Sequence, residues 1–136
     1  LSVVKEIEKY ALENDISPDW IFTHSPDCLN IDHQIVYKAT ITAFRGLKKW
    51  NPIKILCYEV PSSSEWNPIS SFRANFYVDI SKFFEKKIKA LNVYSKEMRN
   101  SPHPRSYKNI KSLASTVGSE VGYDKSEKFM IIRETI

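Results

Sequence analysis

Apolar residues recur along the chain at two alternating spacings. Near the amino terminus they recur at the spacing of a helix, which predicts an amphipathic helix over residues 2–14. A short apolar run at residues 20–23 predicts a buried strand, and the pattern over 34–45 predicts a second helix. The clearest strand covers residues 53–60. Its apolar residues occupy both faces, which is typical of a parallel strand that is covered on both sides.

The rest of the chain continues this alternation. It predicts a polar loop over 61–75, an extended piece over 76–80, a helix from Ser81 as N-cap to about Met98, a helix over 105–117 and a last strand over 129–132. Strands that alternate with helices indicate an α/β fold with a largely parallel sheet. There is no internal repeat and no linker, so residues 1–136 are predicted to be a single unit. The few short strands, led by a helix, resemble the second part of a Rossmann-like, doubly wound domain.

Too few strands are predicted to flank every apolar strand. We therefore expect residues 20–23 or 53–60 to lie beside a sheet position that this chain does not fill, because open apolar edges invite pairing with another chain.

Composition narrows the choice of partner and compartment. The net charge of +4 is modest, and the densest basic stretch, on the helix predicted from Ser81, is interleaved with Glu85 and Glu97. A solvated helix face explains it better than a nucleic-acid surface. The two cysteines lack CxxC spacing, which favours a reducing cytoplasm, and no apolar run has the length of a membrane span. We expect neither a nucleic acid nor a membrane as partner.

The turn between the first predicted strand and the second predicted helix carries the candidate chemistry. Its polar residues include Asn30, Asp32 and His33, at the end of a strand where ligands bind in open α/β sheets. The partial positive charge of a helix N-terminus favours neutral imidazole, the form that binds zinc. The alternative is an ordinary helix start, with Asp32 as N-cap. His24, at the strand end, either approaches the same crevice or is a polar loop residue.

Four segments in order resemble the LmbE-like, or PIG-L, family of zinc-dependent N-acetylglucosaminyl deacetylases. The similarity covers about residues 18–133. The first segment consists of 18–24 followed by 29–33, and the other three are 59–66, 77–80 and 102–106. The resemblance implies a domain of the LmbE-like deacetylase type. In that family, zinc is held by a His and an Asp of an early His-Pro-Asp-Asp motif and by the His that ends the second motif, which corresponds to His33.

The early motif, which also supplies the general base of the family, is absent from this sequence. The one His-Pro pair is His103-Pro104, and Arg105 follows it. The resemblance therefore implies that residues 1–136 are the carboxyl-terminal portion of the domain, with an incomplete zinc site and with the amino-terminal segment of the same protein as a partner. Two further positions depart from the family: Asn30 stands where some relatives carry His, and Cys28 where Asp is expected.

The resemblance also implies roles for individual side chains. Zinc would polarise the amide carbonyl and lower the pKa of a bound water, which attacks the acetyl carbon with help from a carboxylate. Asp32 would orient a neighbouring imidazole as a carboxylate behind the metal ligands. Asn30 would contact substrate, and His103, Arg105 and Ser106, on a turn stiffened by proline, would contact sugar hydroxyls. The alternative for that turn is a helix start that is capped by its own polar groups.

The function predicted on this basis is hydrolysis of the N-acetyl group of an amino sugar or glycoconjugate of the N-acetylglucosamine type. One alternative is a non-catalytic carbohydrate-binding or interaction module derived from the same fold. A nucleic-acid binder is a second alternative, favoured only by the positive charge. The loop at 62–66 is either an exposed loop or a rim that faces the sugar, with Trp66 as a stacking surface.

Overall fold

A computed structural model describes residues 2–46 and 50–136 of the chain. The helices over these residues are α1 (Ser2–Glu13), α2 (Ile31–Ala43), α3 (Phe84–Val93) and α4 (Tyr107–Val121), with a 3-10 turn at Ser95–Glu97. The strands are β1 (Trp20–His24), β2 (Lys54–Tyr58), β3 (Phe76–Asp79) and β4 (Ser126–Glu134). Contacts divide the chain into two compact units. The first contains the residues up to Arg73 together with Phe129–Ile136, and the second is Ala74–Lys128.

The four strands form one sheet in the order β1-β2-β4-β3. β1 and β2 are parallel, whereas β2 and β4 are antiparallel, with an irregularity between Ile55 and Leu56. The α/β class is confirmed, but the sheet is mixed, and the expectation of a largely parallel sheet is not confirmed. The apolar residues of β2 are buried on both faces of the strand. Ile55, Leu56 and Cys57 are each at most 1% exposed. Burial of this kind does not depend on the direction of the neighbouring strand.

β1 lies at one edge of the sheet that the structure describes, and an unfilled sheet position beside it stays a prediction. It pairs with β2 on one side, and no strand of residues 2–46 or 50–136 pairs with its other side. Ile21 points to the core and is buried, while Trp20 and Phe22 are about half exposed. This edge strand therefore carries two apolar side chains that are about half exposed.

The core of the first unit holds β1 in place. α2 packs against β1, and α1 packs against α2. The buried side chains of this core are Ala11, Ile21, Ala43, Phe44, Trp50 and Ile55. The residues between β1 and α2 are thus anchored at both ends by buried elements.

The second unit departs from the prediction at Ser81. The Ser81 hydroxyl donates to Asp79 Oδ1 at 2.6 Å, so it does not cap a helix. α3 begins only at Phe84, without a side-chain cap, and ends at Val93 rather than near Met98. The core of this unit is formed by Ile80, Phe84 and Ala114. Among the helices that the structure describes, none has the length and apolar character needed to cross a membrane.

Two isoleucines allow the importance of β2 to be measured. Ile55 is 1% exposed and belongs to the core of the first unit, whereas Ile53 is 46% exposed. We expect Ile55→Ala to lower the free energy of unfolding by about 2–5 kcal/mol, because it leaves a cavity between packed elements. Ile53→Ala is the matched control and should cost about 1 kcal/mol or less. Urea unfolding followed by circular dichroism measures both, and equal losses would contradict the central position of β2.

Candidate functional site

The turn that joins β1 to α2 is held against the end of β2 and the loop that follows it. β1 ends at His24 and α2 begins at Ile31. The backbone hydrogen bonds of the turn are Ser25 N–H to the Tyr58 carbonyl at 2.9 Å, Cys28 N–H to the Ser25 carbonyl at 3.2 Å and Leu29 N–H to the Ser63 carbonyl at 3.2 Å. The side chains of the turn are therefore presented from a braced backbone at the carboxyl end of β1.

Asn30, and not Asp32, is the N-cap of α2. The Asn30 side-chain oxygen accepts a hydrogen bond from the backbone N–H of Asp32 at 2.9 Å. The alternative with Asp32 as N-cap is wrong, since the helix begins at Ile31 and Asp32 already lies in its first turn. Both Asn30 and Asp32 are exposed. The Asp32 carboxylate is favourably placed near the positive end of the helix dipole.

His33 is fixed through one of its two ring nitrogens. Its Nδ1 lies 3.0 Å from the sulfur of Cys28, a residue that is 1% exposed. The backbone of Cys28 is itself held, because its carbonyl accepts a hydrogen bond from Gln34 Nε2 at 2.7 Å. With Nδ1 engaged by sulfur, Nε2 is the ring nitrogen that remains for a ligand. The contact of Cys28 with His33 was not predicted from the sequence, although their spacing of five residues across a helix start was the available signal.

His24 lies face to face with His33. The two rings stack with their centroids 4.0 Å apart and their planes inclined by 16°. His24 Nε2 lies 3.4 Å from the Tyr58 hydroxyl, and His24 Nδ1 is a buried atom without a hydrogen-bond partner. Burial lowers the pKa of His24, and the charge of His33 lowers that pKa further. His24, His33 and Cys28 therefore form one cluster of side chains. Burial favours the neutral form of His24.

The second cysteine of the chain plays no part in this cluster as a nucleophile. Cys57 lies in β2 and is 0% exposed. Burial raises the pKa of its thiol to about 12. The thiolate is the reactive form of cysteine, so Cys57 is an inert core residue at neutral pH.

The residues of this cluster do not by themselves make a zinc site. Catalytic zinc usually has three protein ligands and an open position for water. Within residues 2–46 and 50–136, no group of three His, Cys, Asp or Glu side chains is arranged to hold a metal ion. Cys28 contacts Nδ1 of His33, so these two side chains engage each other. A role of His33 as a zinc ligand stays a prediction.

A loop downstream is tied to the same turn by Asp27. The Asp27 carboxylate accepts a hydrogen bond from Ser71 N–H at 2.6 Å, and its carbonyl accepts one from Asn67 Nδ2 at 2.7 Å. Trp66, in this loop, is 59% exposed. The loop is thus held beside the turn with an exposed aromatic ring, which is compatible with the predicted sugar rim. The contacts of Asp27 with this loop were not predicted from the sequence, because its partners lie 40 and 44 residues further along the chain.

The other predicted site residues form a turn within the second unit. His103 Nδ1 accepts a hydrogen bond from the backbone N–H of Arg105 at 3.0 Å, and the Arg105 guanidinium lies 2.8 Å from Glu97. Ser106 is 3% exposed and is the N-cap of α4, where its hydroxyl accepts a hydrogen bond from Asn109 N–H. Ser106 therefore caps the helix, as the alternative for this turn described. Contacts of His103, Arg105 and Ser106 with sugar stay a prediction.

Comparisons with known proteins give a fold. No protein-family model matches the chain, and no curated protein matches it. Among solved structures, the chain is similar to N,N'-diacetylchitobiose deacetylase from Pyrococcus horikoshii, with a TM-score of 0.70 and 20% identity, over 96% of this chain and 51% of that chain. It is also similar to a conserved protein from Thermus thermophilus, with a TM-score of 0.77 and 16% identity, over 99% of this chain and 60% of that chain.

This chain thus spans about half to three-fifths of the length of these two proteins. At such low identity the similarity establishes architecture. The chain has the fold of a part of a chitobiose deacetylase, in agreement with the deacetylase-type fold that the four sequence segments implied.

Proposed function

We propose that this chain is part of a zinc-dependent hydrolase that removes the N-acetyl group from an amino sugar of the N-acetylglucosamine type. The observation that carries the proposal is the position of His33. Its ring lies at the start of α2, beyond the carboxyl end of β1, with Nδ1 engaged by Cys28 and Nε2 left for a ligand. The fold in which it lies is shared with a deacetylase of N,N'-diacetylchitobiose.

The side chain next to His33 is compatible with a metal ligand at this position. Neutral imidazole is the form of histidine that binds zinc. The ring of His24 stacks on His33, and burial lowers the pKa of His24. Burial therefore favours the uncharged form of this neighbouring ring. We therefore assign one zinc ligand to His33, and we propose that the other ligands and the general base come from residues outside this sequence.

The remaining predicted residues would act on the substrate. Hydrolysis forms a bond from water oxygen to the acetyl carbon and breaks the amide C–N bond, which yields acetate and the amine. Asn30 would donate to the sugar through its amide nitrogen, because its oxygen is engaged by the helix. Asp32 would orient an imidazole or a bound water near the metal. His103, Arg105 and Ser106 would contact sugar hydroxyls.

A second candidate is a carbohydrate-binding or interaction module without catalytic activity. It is favoured by the observation that the residues which the structure describes bring no three metal donors together. The two candidates differ in whether a segment with the missing ligands restores turnover.

Residues 1–136 alone should hold no stoichiometric zinc and should not deacetylate N-acetylglucosamine or N,N'-diacetylchitobiose, because a lone imidazole binds zinc weakly. Metal analysis after gel filtration, together with an assay of released acetate, measures both. Activity should appear when a segment with the His-Pro-Asp-Asp motif is supplied, on the same chain or as a separate piece. One tightly held zinc with real turnover in residues 1–136 would show that His24, His33 and His103 form a site of their own.

Two histidine substitutions separate metal binding from substrate binding in the enzyme that contains all segments. We expect His33→Ala to lower zinc occupancy and to reduce kcat/KM by more than about 100-fold, since loss of a ligand costs more than loss of a group behind it. His103→Ala should lower turnover or raise KM while zinc stays bound. Zinc content by mass spectrometry is measured beside the kinetics. Equal zinc loss in both variants would show that His103 is a ligand.

A further inference from the structure

The contact between Cys28 and His33 has a direction that decides what His33 can bind. Neutral imidazole carries one proton, on Nδ1 or on Nε2, and only the nitrogen without it can coordinate a metal. Cys28 sulfur lies 3.0 Å from Nδ1 and is therefore placed to select between the two tautomers. A metal-binding histidine usually donates its other ring N–H to a nearby acceptor, which fixes both tautomer and ring orientation.

We propose that Cys28 is a positioning residue for His33: its buried sulfur accepts the Nδ1–H of His33 and keeps the lone pair on Nε2. The proposal rests on the proposed function for its purpose, which is to present Nε2 to zinc. Cys28 then takes, through sulfur, the part that an oxygen acceptor plays in other histidine sites. It touches neither zinc nor substrate, and it acts only through His33.

The position of the sulfur is fixed by the backbone around it. The Cys28 N–H donates to the Ser25 carbonyl at 3.2 Å, and the Cys28 carbonyl accepts from Gln34 Nε2 at 2.7 Å. With 1% of its surface exposed, Cys28 is shielded from water that would compete for His33 Nδ1. Both backbone groups of Cys28 are thus held, and its sulfur lies 3.0 Å from His33 Nδ1.

A second contact fixes the plane of the His33 ring. The His24 ring lies against its face, 4.0 Å between centroids. Cys28 holds the ring at its Nδ1 edge, and His24 holds it at its face. Two restraints at right angles leave the imidazole one orientation, so a ligand at Nε2 meets a ring that loses little entropy on binding.

The tautomer of His33 can be measured without any metal. The chain of 136 residues is labelled with ¹⁵N-histidine, and two-bond ¹H–¹⁵N correlation spectra are recorded above the ordinary imidazole pKa. His33→Gln assigns the signals. We expect the Nδ1–H tautomer to predominate at His33, and Cys28→Ala to abolish that predominance. Cys28→Ser should keep it, because a hydroxyl oxygen accepts the same hydrogen bond.

Cys57→Ala is the matched control, since it removes an equally buried thiol in the same unit. It should leave the His33 tautomer unchanged, whereas a purely structural role for Cys28 would make both alanine variants behave alike. The unsubstituted chain already gives a decisive result if Cys28→Ala fails to fold. A His33 ring with its proton on Nε2, or a tautomer that ignores Cys28→Ala in the folded chain, would overturn the proposal.

Zinc affinity separates this inference from the proposed function. In the enzyme that contains all segments, Cys28→Ala should weaken zinc binding by about 10–100-fold, and Cys28→Ser should restore most of it. If the tautomer follows Cys28 as expected but the complete protein neither binds zinc nor deacetylates, the proposed function fails and the positioning of His33 by Cys28 stands.

Discussion

The parallel pairing of β1 with β2 is the constraint on which the candidate site depends. Its register sets Thr23 opposite Cys57 and His24 opposite Tyr58, so both strands end at the same level. The Tyr58 carbonyl then accepts the first backbone hydrogen bond of the turn, and the Tyr58 hydroxyl approaches His24. Because side chains alternate along a strand, a shift of one residue in this register would turn His24 away from His33.

The start of α2 fixes the position of His33 relative to the end of β1. The Asn30 cap begins the helix at Ile31 and so brings His33 into the first turn, close to the positive end of the helix dipole. Had Asp32 been the cap, His33 would stand at the first helical position and face another direction. The helix start therefore sets where the imidazole of His33 lies, while Cys28 occupies its Nδ1 edge.

Local sequence patterns predicted the elements, and long-range contacts explain what they missed. The helix at the amino terminus, β1, α2 and β2 follow from apolar periodicity, since burial of one face is a local property of the sequence. The antiparallel direction of β4 depends on how the chain returns to the sheet, which periodicity does not encode. The hydrogen bond of Asp27 with Ser71 and the contact of Cys28 with His33 depend on the path of the turn between β1 and α2. A fixed sequence spacing predicts such a path only when the helix cap is known, and the sequence offered Asp32 as an alternative cap where the structure has Asn30.

Within residues 2–46 and 50–136, no three His, Cys, Asp or Glu side chains are arranged to hold a metal ion, and the position of β1 at the edge of the sheet bears on this. A strand-to-helix turn delivers its side chains from one direction, and here that direction supplies His33 with His24 behind it. A catalytic zinc usually has three protein ligands placed around it, so a single imidazole does not hold it. The carboxyl ends of adjacent parallel strands meet at the same edge of a sheet. A parallel strand paired with the outer side of β1 would therefore end beside His24 and His33. Under the proposed function, the further zinc ligands would come from such a strand end.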